Sequence, residues 1–232
     1  MGWQEIDGTD SSAIGGKRMR PTLAMLAADA VGGDLERATP IAVALEYVHN
    51  FSLIHDDLED MDRMRHHRPT VWAVWGKPAA IISGNAMLKI ADQAVWKLRS
   101  IGVEDSIALE AEAELTQQYL KMMEGQYLDI SFETEKSVSV PQYLDMIERK
   151  TGALIEASIY LGGLVGPRTG PDRQKAIALK AIGHELGRIF QIRDDVLGIW
   201  GGKETGKPVG ADIKRKKKGA ARYSRTQYGS WG

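Results

Sequence analysis

Three carboxylates lie close together in the first half of the chain, inside a run that is otherwise apolar. Asp56, Asp57 and Asp60 occupy positions i, i+1 and i+4 of the stretch 46–70, which reads EYVHNFSLIHDDLEDMDRMRHHRPT. Residues four apart share one face of an α-helix, so Asp56 and Asp60 are predicted to point the same way. Such a cluster repels itself unless a cation lies on it, and Mg²⁺ prefers oxygen ligands. The spacing therefore predicts a magnesium site.

A second acidic pair, Asp194 and Asp195, lies in another long apolar segment. The apolar stripes predict that both clusters face inward, where like charges are costly to bury. A divalent cation bridging to an oxyanion would offset that cost. Mg²⁺ usually keeps few protein carboxylates and completes its shell with water and phosphate oxygens. We therefore predict a phosphate ester held between the two acidic helices.

Basic and apolar residues suit the same ligand. Lys17 and Arg20 lie about one helical turn apart, and this amount of positive charge predicts a second, metal-free phosphate site. Further cations that could contact phosphate are Arg65, Arg68, Lys150 and Lys207. The residues predicted to form the wall between the acids are apolar: Phe51, Leu53, Ile54, Met87, Met122 and Met123. An apolar cavity with phosphate and metal at its mouth suits a prenyl diphosphate.

The elements that must position these groups are predicted to be helices. Apolar residues recur with helical period in seven segments, 17–31, 38–61, 78–99, 105–130, 141–150, 151–165 and 172–200. We expect a basic loop over 63–68, and no window shows the alternation of a strand. The pattern predicts one all-α domain over 1–232, a bundle of long helices around a central apolar cavity. Residues 1–16 are expected to be a frayed start, and 213–232 an irregular basic tail.

Composition excludes several other classes of protein. The chain has 232 residues, a net charge of −1 and no cysteine, which excludes a disulfide framework and any cysteine-based metal site or nucleophile. Its balanced charge gives no overall field toward nucleic acid or an anionic membrane. No signal peptide or membrane-spanning run is recognisable, so we expect a cytoplasmic protein without stable membrane insertion. The basic run 214–218 is expected to be solvated.

Seven short segments follow one another in a fixed order. They are GGKRMRP (15–21), ALEYVHNFSLIHDDLED (44–60), RHHRPT (65–70), GQYLD (125–129), KTG (150–152), FQIRDD (190–195) and TGKPVGAD (205–212). In this order and spacing they resemble the trans-prenyl diphosphate synthases, the polyprenyl synthetase family, over 16 to about 218. The resemblance implies an isoprenoid synthase-type helical bundle that works as a homodimer.

The resemblance also implies a reaction and its residues. An allylic diphosphate ionises, the double bond of isopentenyl diphosphate attacks the cation, and a proton is lost. Mg²⁺, with Mn²⁺ as an alternative, would be held by Asp56, Asp57, Asp60, Asp194 and Asp195. By the same resemblance, the site of isopentenyl diphosphate would comprise Lys17, Arg20, His49 and His66. The allylic diphosphate would contact Arg65, Lys150 and Lys207, and Lys217 would be a further substrate-binding residue. Thr151 and Gln191 would line the reacting carbons.

Product length is predicted from the two residues that precede the acids on the same helix. Phe51 lies five positions before Asp56 and is bulky, whereas Ser52 lies four before and is small. This combination, with no insertion in the acidic cluster, resembles short-chain members that make C20. We therefore expect geranylgeranyl diphosphate, with a C15 product as the next choice.

The sequence is also compatible with two other functions. The family usually has a second arginine at the position of His66, and many members have a third Asp at Gly198 or an acid near Gly202. His66 favours a class I terpene cyclase on the same fold, a lyase that needs no isopentenyl diphosphate, although the usual second cyclase motif is absent. Gly202 and the irregular tail favour a non-catalytic subunit.

Overall fold

The computed structural model describes residues 18–66, 68–168 and 172–200. They form eight α-helices, one π-helical segment and two very short strands. The elements are α1 Met19–Ala30, α2 Leu35–Glu59, β1 Met64–Arg65, β2 Arg68–Pro69, α3 Val71–Trp75, α4 Lys77–Ser100, α5 Asp105–Thr134, α6 Val140–Ile147, a π-helix Glu148–Gly152, α7 Ala153–Val165 and α8 Arg173–Trp200. The predicted all-α class is confirmed, and each predicted helix corresponds to an observed one.

Three details differ from the sequence prediction. The expected basic loop contains a small antiparallel hairpin, in which Met64 pairs with Pro69 and Arg65 with Arg68. Two residues per strand are too few to show an alternating pattern in sequence. The short helix α3 was missed for a related reason, since five residues cover little more than one turn. The helix predicted over 141–150 ends at Ile147 and continues as the π-helix.

The contacts divide the chain into two compact units. Unit 1 comprises Met1–Glu112 and Leu161–Arg173, and unit 2 comprises Ala113–Tyr160 and Gln174–Gly232. The sequence prediction of one domain over 1–232 stays a prediction. Within the part of the chain that the structure describes, no helix combines the length and the apolar character that a membrane crossing requires.

Unit 1 is built on the long helix α2. Asp34 caps its start by accepting a hydrogen bond from the Glu36 amide at 2.9 Å. Apolar side chains at Ile41, Leu45 and Val48 repeat every three or four residues and are fully buried. Helices α1 and α4 pack against α2. This packing fixes the carboxyl end of α2, where the first acidic cluster lies.

Unit 2 surrounds the π-helix. Helix α6 begins with a capping box, in which the Ser139 side chain accepts from the Gln142 amide and the Gln142 side chain accepts from the Ser139 amide. Its apolar face packs into a cluster of buried side chains, Phe132, Val138, Tyr143, Met146 and Ile147. The backbones of α8 and the π-helix approach closely, because a Cβ added at Gly187 would lie 2.6 Å from the Cα of Gly152. Helix α8 of unit 2 therefore packs directly on the backbone of the π-helix.

Candidate active site

The first acidic cluster lies at the end of α2 and is paired with an arginine from the hairpin. Arg65 donates from Nη2 to Asp56 Oδ2 at 2.8 Å and from Nε to Asp57 Oδ1 at 2.6 Å. Thr70 and Trp72 fix the hairpin, since the hydroxyl and the indole N–H each donate to the Asp62 carbonyl at 2.7 Å. The structure therefore brings together two of the three predicted carboxylates and places a permanent cation on them.

The environment of this pair shifts both pKa values. Burial raises the pKa of Asp57, and the neighbouring Arg65 opposes that shift. Burial would lower the pKa of Arg65, but the charges and hydrogen bonds of Asp57 and Asp56 outweigh it and raise the value. Arg65 thus supplies positive charge to the carboxylates, a role that the sequence prediction gave to a metal ion.

The donors at this site fit a magnesium ion that phosphate oxygens complete. Among the described residues, no three acidic or histidine side chains converge as a ready-made cage. Mg²⁺ rarely needs one, because it is commonly bound by one or two carboxylates together with substrate phosphates. Asp56 and the helix-capping residue Asp60 are four apart at the end of α2 and offer such oxygens.

A second basic group lies at the start of α1. The Nε atom of Arg20 is buried and has no hydrogen-bond partner among the described residues, although part of the side chain reaches the surface. Burial lowers the pKa of Arg20 to about 10, and Glu46 opposes the shift. The pKa of His49 is lowered to about 3, mainly by burial and further by the positive charges of Arg20 and Arg65. This imidazole is therefore neutral at pH 7. An arginine N–H left unpaired in a buried position is suited to an oxyanion.

The two predicted chain-length residues lie on α2 in different surroundings. Phe51 is 4% exposed and meets the ring of His55 edge to face, with the ring centroids 4.9 Å apart. His55 in turn occupies the space that a side chain at Gly84 of α4 would need, since an added Cβ would lie 2.3 Å from His55 Nε2. Ser52 is half-buried and donates to the carbonyl of His49 at 2.7 Å. His66, predicted as a substrate ligand, is exposed on the hairpin turn with φ 48°.

In unit 2 the π-helix carries Lys150 and Thr151. Lys150 Nζ contacts Asp129 Oδ2 of α5 at 2.5 Å. Helix α5 approaches the π-helix closely because Gly125 has no side chain; an added Cβ would lie 2.1 Å from the Lys150 amide nitrogen. Single π-helical turns inside α-helices occur frequently at functional sites. The motif GQYLD therefore supplies both the space for Lys150 and its acidic partner.

The buried Thr151 is connected to the second acidic pair. Its hydroxyl donates to Gln191 Oε1 at 2.6 Å, and Gln191 Nε2 donates to Asp195 Oδ1 at 2.8 Å. Tyr143 donates its hydroxyl hydrogen to the other oxygen of Asp195. Two hydrogen bonds thus connect Thr151, Gln191 and Asp195 in sequence. Asp194 is not buried as the sequence predicted, since its side chain is exposed near the end of α8.

The sequence prediction did not include two functional candidates, Asp129 and Tyr143. The sequence prediction gave no role to Asp129 of the GQYLD motif. Asp129 lies four positions after Gly125, so the two residues share one helical face. Nothing in the sequence links the hydroxyl of Tyr143 to Asp195, which lies 52 positions away. The predictions for Lys17, Lys207 and Lys217 concern positions outside the described residues.

The chain is similar in sequence to a family of known proteins. The family model described as Polyprenyl synthetase matches residues 8–227. The chain is 43% identical over 219 residues to a (2E,6E)-farnesyl diphosphate synthase of Mycobacterium tuberculosis, covering 94% of this chain and 59% of that protein. It is 41% identical over 218 residues to a geranylgeranyl diphosphate synthase of the same organism, covering 94% and 60%. The chain thus spans about three fifths of the length of these relatives.

Solved structures are similar over nearly the whole chain. A polyprenyl synthetase from Streptomyces coelicolor A3(2) superposes with a TM-score of 0.89 at 39% identity, over 99% of this chain and 66% of that one. A geranylgeranyl pyrophosphate synthetase from Pyrococcus horikoshii gives a TM-score of 0.86 at 37% identity, over 94% and 65%.

Proposed function

This chain belongs to the polyprenyl synthetase family, and on that premise we propose that it condenses isopentenyl diphosphate with an allylic diphosphate. The observation that carries the proposal is the contact of Arg65 with Asp56 and Asp57. A magnesium diphosphate needs carboxylate oxygens for the metal and a cation for the phosphate, and this cluster offers both.

The residues of unit 1 are proposed to bind the two diphosphates. Asp56 and Asp60 hold Mg²⁺, and Arg65 exchanges its carboxylate partners for phosphate oxygens as the ligand arrives. When bound, Mg²⁺ stabilises the negative charge that develops on the departing diphosphate. Arg20 donates its unpaired Nε–H to the diphosphate of isopentenyl diphosphate, and the neutral His49 adds a hydrogen bond without adding charge.

The residues of unit 2 are proposed to act on the carbon skeleton. Thr151 gives its hydroxyl hydrogen to Gln191, so the lone pairs of Thr151 Oγ1 stay free to face an electron-poor carbon. Lys150, paired with Asp129 at 2.5 Å, contacts the allylic diphosphate. We also propose that the reaction requires Mg²⁺ and that Asp194 is a further ligand of the metal.

The product is proposed to be C20, geranylgeranyl diphosphate. The relatives include synthases named for C15 and for C20 products, so the family alone does not choose between them. The choice rests on the bulky Phe51 and the small Ser52 before the acidic cluster. A homodimer, which the family resemblance implies, is part of the proposal, and so is the cytoplasmic location predicted from the sequence. Exposed apolar residues of α4, Ile82 at 67% and Trp96 at 54%, give that helix a surface suited to a second copy.

One assay tests the reaction. The protein is supplied with Mg²⁺, farnesyl diphosphate and labelled isopentenyl diphosphate, and products are analysed with and without phosphatase. A longer linear diphosphate carrying the label is the expected result. A hydrocarbon formed without isopentenyl diphosphate would instead identify a cyclase. A well-folded protein that turns over neither substrate would identify a non-catalytic subunit.

A further inference from the structure

Three hydrogen bonds in unit 2 connect α6 with the π-helix through one carboxylate. Tyr143 donates to Asp195 Oδ2, and Gln191 Nε2 donates to Asp195 Oδ1 at 2.8 Å. Thr151 then donates to Gln191 Oε1 at 2.6 Å. Asp195 therefore lies at the centre of a connection between a buried tyrosine and the hydroxyl proposed to face the reacting carbon.

Asp195 differs from the carboxylates at the end of α2 in the groups that hold it. Each of its oxygens accepts a hydrogen bond from a neutral side chain of unit 2. The partner of Asp56 is a charged arginine that a phosphate can attract away. Tyr143 is 2% exposed and packs within an apolar cluster, which holds its ring in place. The surroundings of Asp195 thus favour a fixed orientation over exchange of ligands.

The carboxylate also determines which way the amide of Gln191 points. An ionised carboxylate only accepts hydrogen bonds, so the end of Gln191 that faces Asp195 has to be the NH₂ group. Gln191 Oε1 then faces Thr151, and the threonine hydroxyl has to donate toward it. The lone pairs of Thr151 Oγ1 are left for another group. The acceptor at position 195 thereby fixes the donor-to-acceptor direction of both hydrogen bonds, from Thr151 to Gln191 and from Gln191 to Asp195.

We propose that Asp195 is a positioning residue rather than a metal ligand, and that Tyr143 holds it in place. This replaces the prediction that Asp195 binds Mg²⁺, and it leaves Asp194, whose side chain is exposed, as the metal ligand of this pair. The inference rests on the proposed function, since the hydroxyl being oriented is that of Thr151 at the reacting carbons.

Steady-state kinetics test the positioning role. Tyr143→Phe removes one oxygen and keeps the packing; kcat is expected to fall about ten- to a hundredfold, the range for a hydrogen bond to a charged group. The KM values and the half-saturating Mg²⁺ concentration are expected to stay near wild type. Asp195→Asn should lower kcat in the same way. Tyr127→Phe is the matched control, because Tyr127 is 72% exposed on α5, and it should keep the wild-type kcat.

Calorimetry gives a readout that needs no turnover. Mg²⁺ with inorganic diphosphate is titrated into wild type, Asp195→Asn and Asp56→Asn, with circular dichroism melts to confirm folding. Asp195→Asn is expected to bind like wild type, and Asp56→Asn to bind about tenfold or more weakly.

The outcomes separate this inference from the proposed function. A wild-type protein that makes no product refutes the proposed function, and calorimetry then decides the status of Asp195 alone. Binding weakened as much by Asp195→Asn as by Asp56→Asn overturns the inference. So does a folded Tyr143→Phe protein that keeps the wild-type kcat.

Discussion

Arg65 and Asp57 form a largely buried ion pair at the end of α2. The Nε atom of Arg65 lies 2.6 Å from Oδ1 of Asp57, and only 8% of the Asp57 side chain is exposed. The same guanidinium reaches Asp56 at 2.8 Å. One residue of a short hairpin thus pairs with two of the three carboxylates, so the hairpin is expected to contribute to the stability of the fold.

Replacing this arginine is expected to destabilise the protein. Arg65→Leu leaves Asp57 buried without its partner and should lower the free energy of unfolding by about 1.5–3 kcal/mol in urea titrations. Arg99→Leu is the matched control, because Arg99 is 45% and its partner Asp105 is 82% exposed, and it should change stability by less than about 1 kcal/mol. Equal effects of the two substitutions would contradict a special role for the Arg65 pair.

Protonation of His49 is expected to make stability depend on pH. Its pKa falls from 6.5 to about 3 on folding, so between these values the unfolded chain binds more protons than the folded one. Stability from this group is therefore complete above pH 6.5 and is lost as pH falls toward 3. Between pH 7.5 and pH 5 the loss should be about 1–2 kcal/mol, measured by urea unfolding.

The variant His49→Gln isolates this contribution. It should reduce the dependence on pH between 7.5 and 5, because glutamine does not titrate. His66→Gln, which changes an exposed histidine, should keep the wild-type dependence. A His49→Gln protein with an unchanged pH profile would show that other groups cause the acid sensitivity.

Two glycines around the π-helix are expected to respond in opposite ways to alanine. A Cβ at Gly125 would lie 2.1 Å from the Lys150 amide nitrogen, whereas one at Gly152 would have its nearest neighbours at 3.8 Å. Gly125→Ala should therefore destabilise by about 1–3 kcal/mol. Gly152→Ala should be neutral or stabilise by up to about 1 kcal/mol, since alanine favours helical backbone. Thermal melts of both proteins check the contrast, and a stable Gly125→Ala protein would contradict the close packing.

Phe51 is expected to limit product length. Phe51→Ala should shift the product beyond C20, read by chromatography of the dephosphorylated alcohols, if the ring forms the floor of the cavity. The substitution also removes a buried ring in contact with His55 and should cost about 3–5 kcal/mol of stability. Phe51→Leu is therefore tested in parallel as a milder change. Unchanged products from folded variants would show that the ring supports His55 and does not limit the cavity.

Sequence alone predicted the helices and the carboxylates, because helical period and acid spacing are local properties. The partners of those carboxylates were harder to predict, since Arg65 reaches Asp56 and Asp57 only through a two-residue hairpin. The π-helix was also missed: its extra residue per turn shifts the register of Lys150 and Thr151 without leaving a pattern of its own. The contact of Tyr143 with Asp195 depends on how α6 and α8 pack, which no local signal encodes.

Substitution of Arg20 is expected to raise the KM of one substrate and to leave that of the other nearly unchanged. Its buried Nε has no hydrogen-bond partner among the described residues, so Arg20→Met removes a donor without leaving a protein acceptor unpaired there. The KM for isopentenyl diphosphate should rise about tenfold or more, while the KM for the allylic diphosphate changes little. Arg20→Lys should recover only part of the loss, because a lysine offers a point charge in place of a fixed fork of donors. A rise in the KM for the allylic diphosphate alone would place Arg20 at that substrate instead, and equal rises in both KM values would contradict its assignment to one substrate.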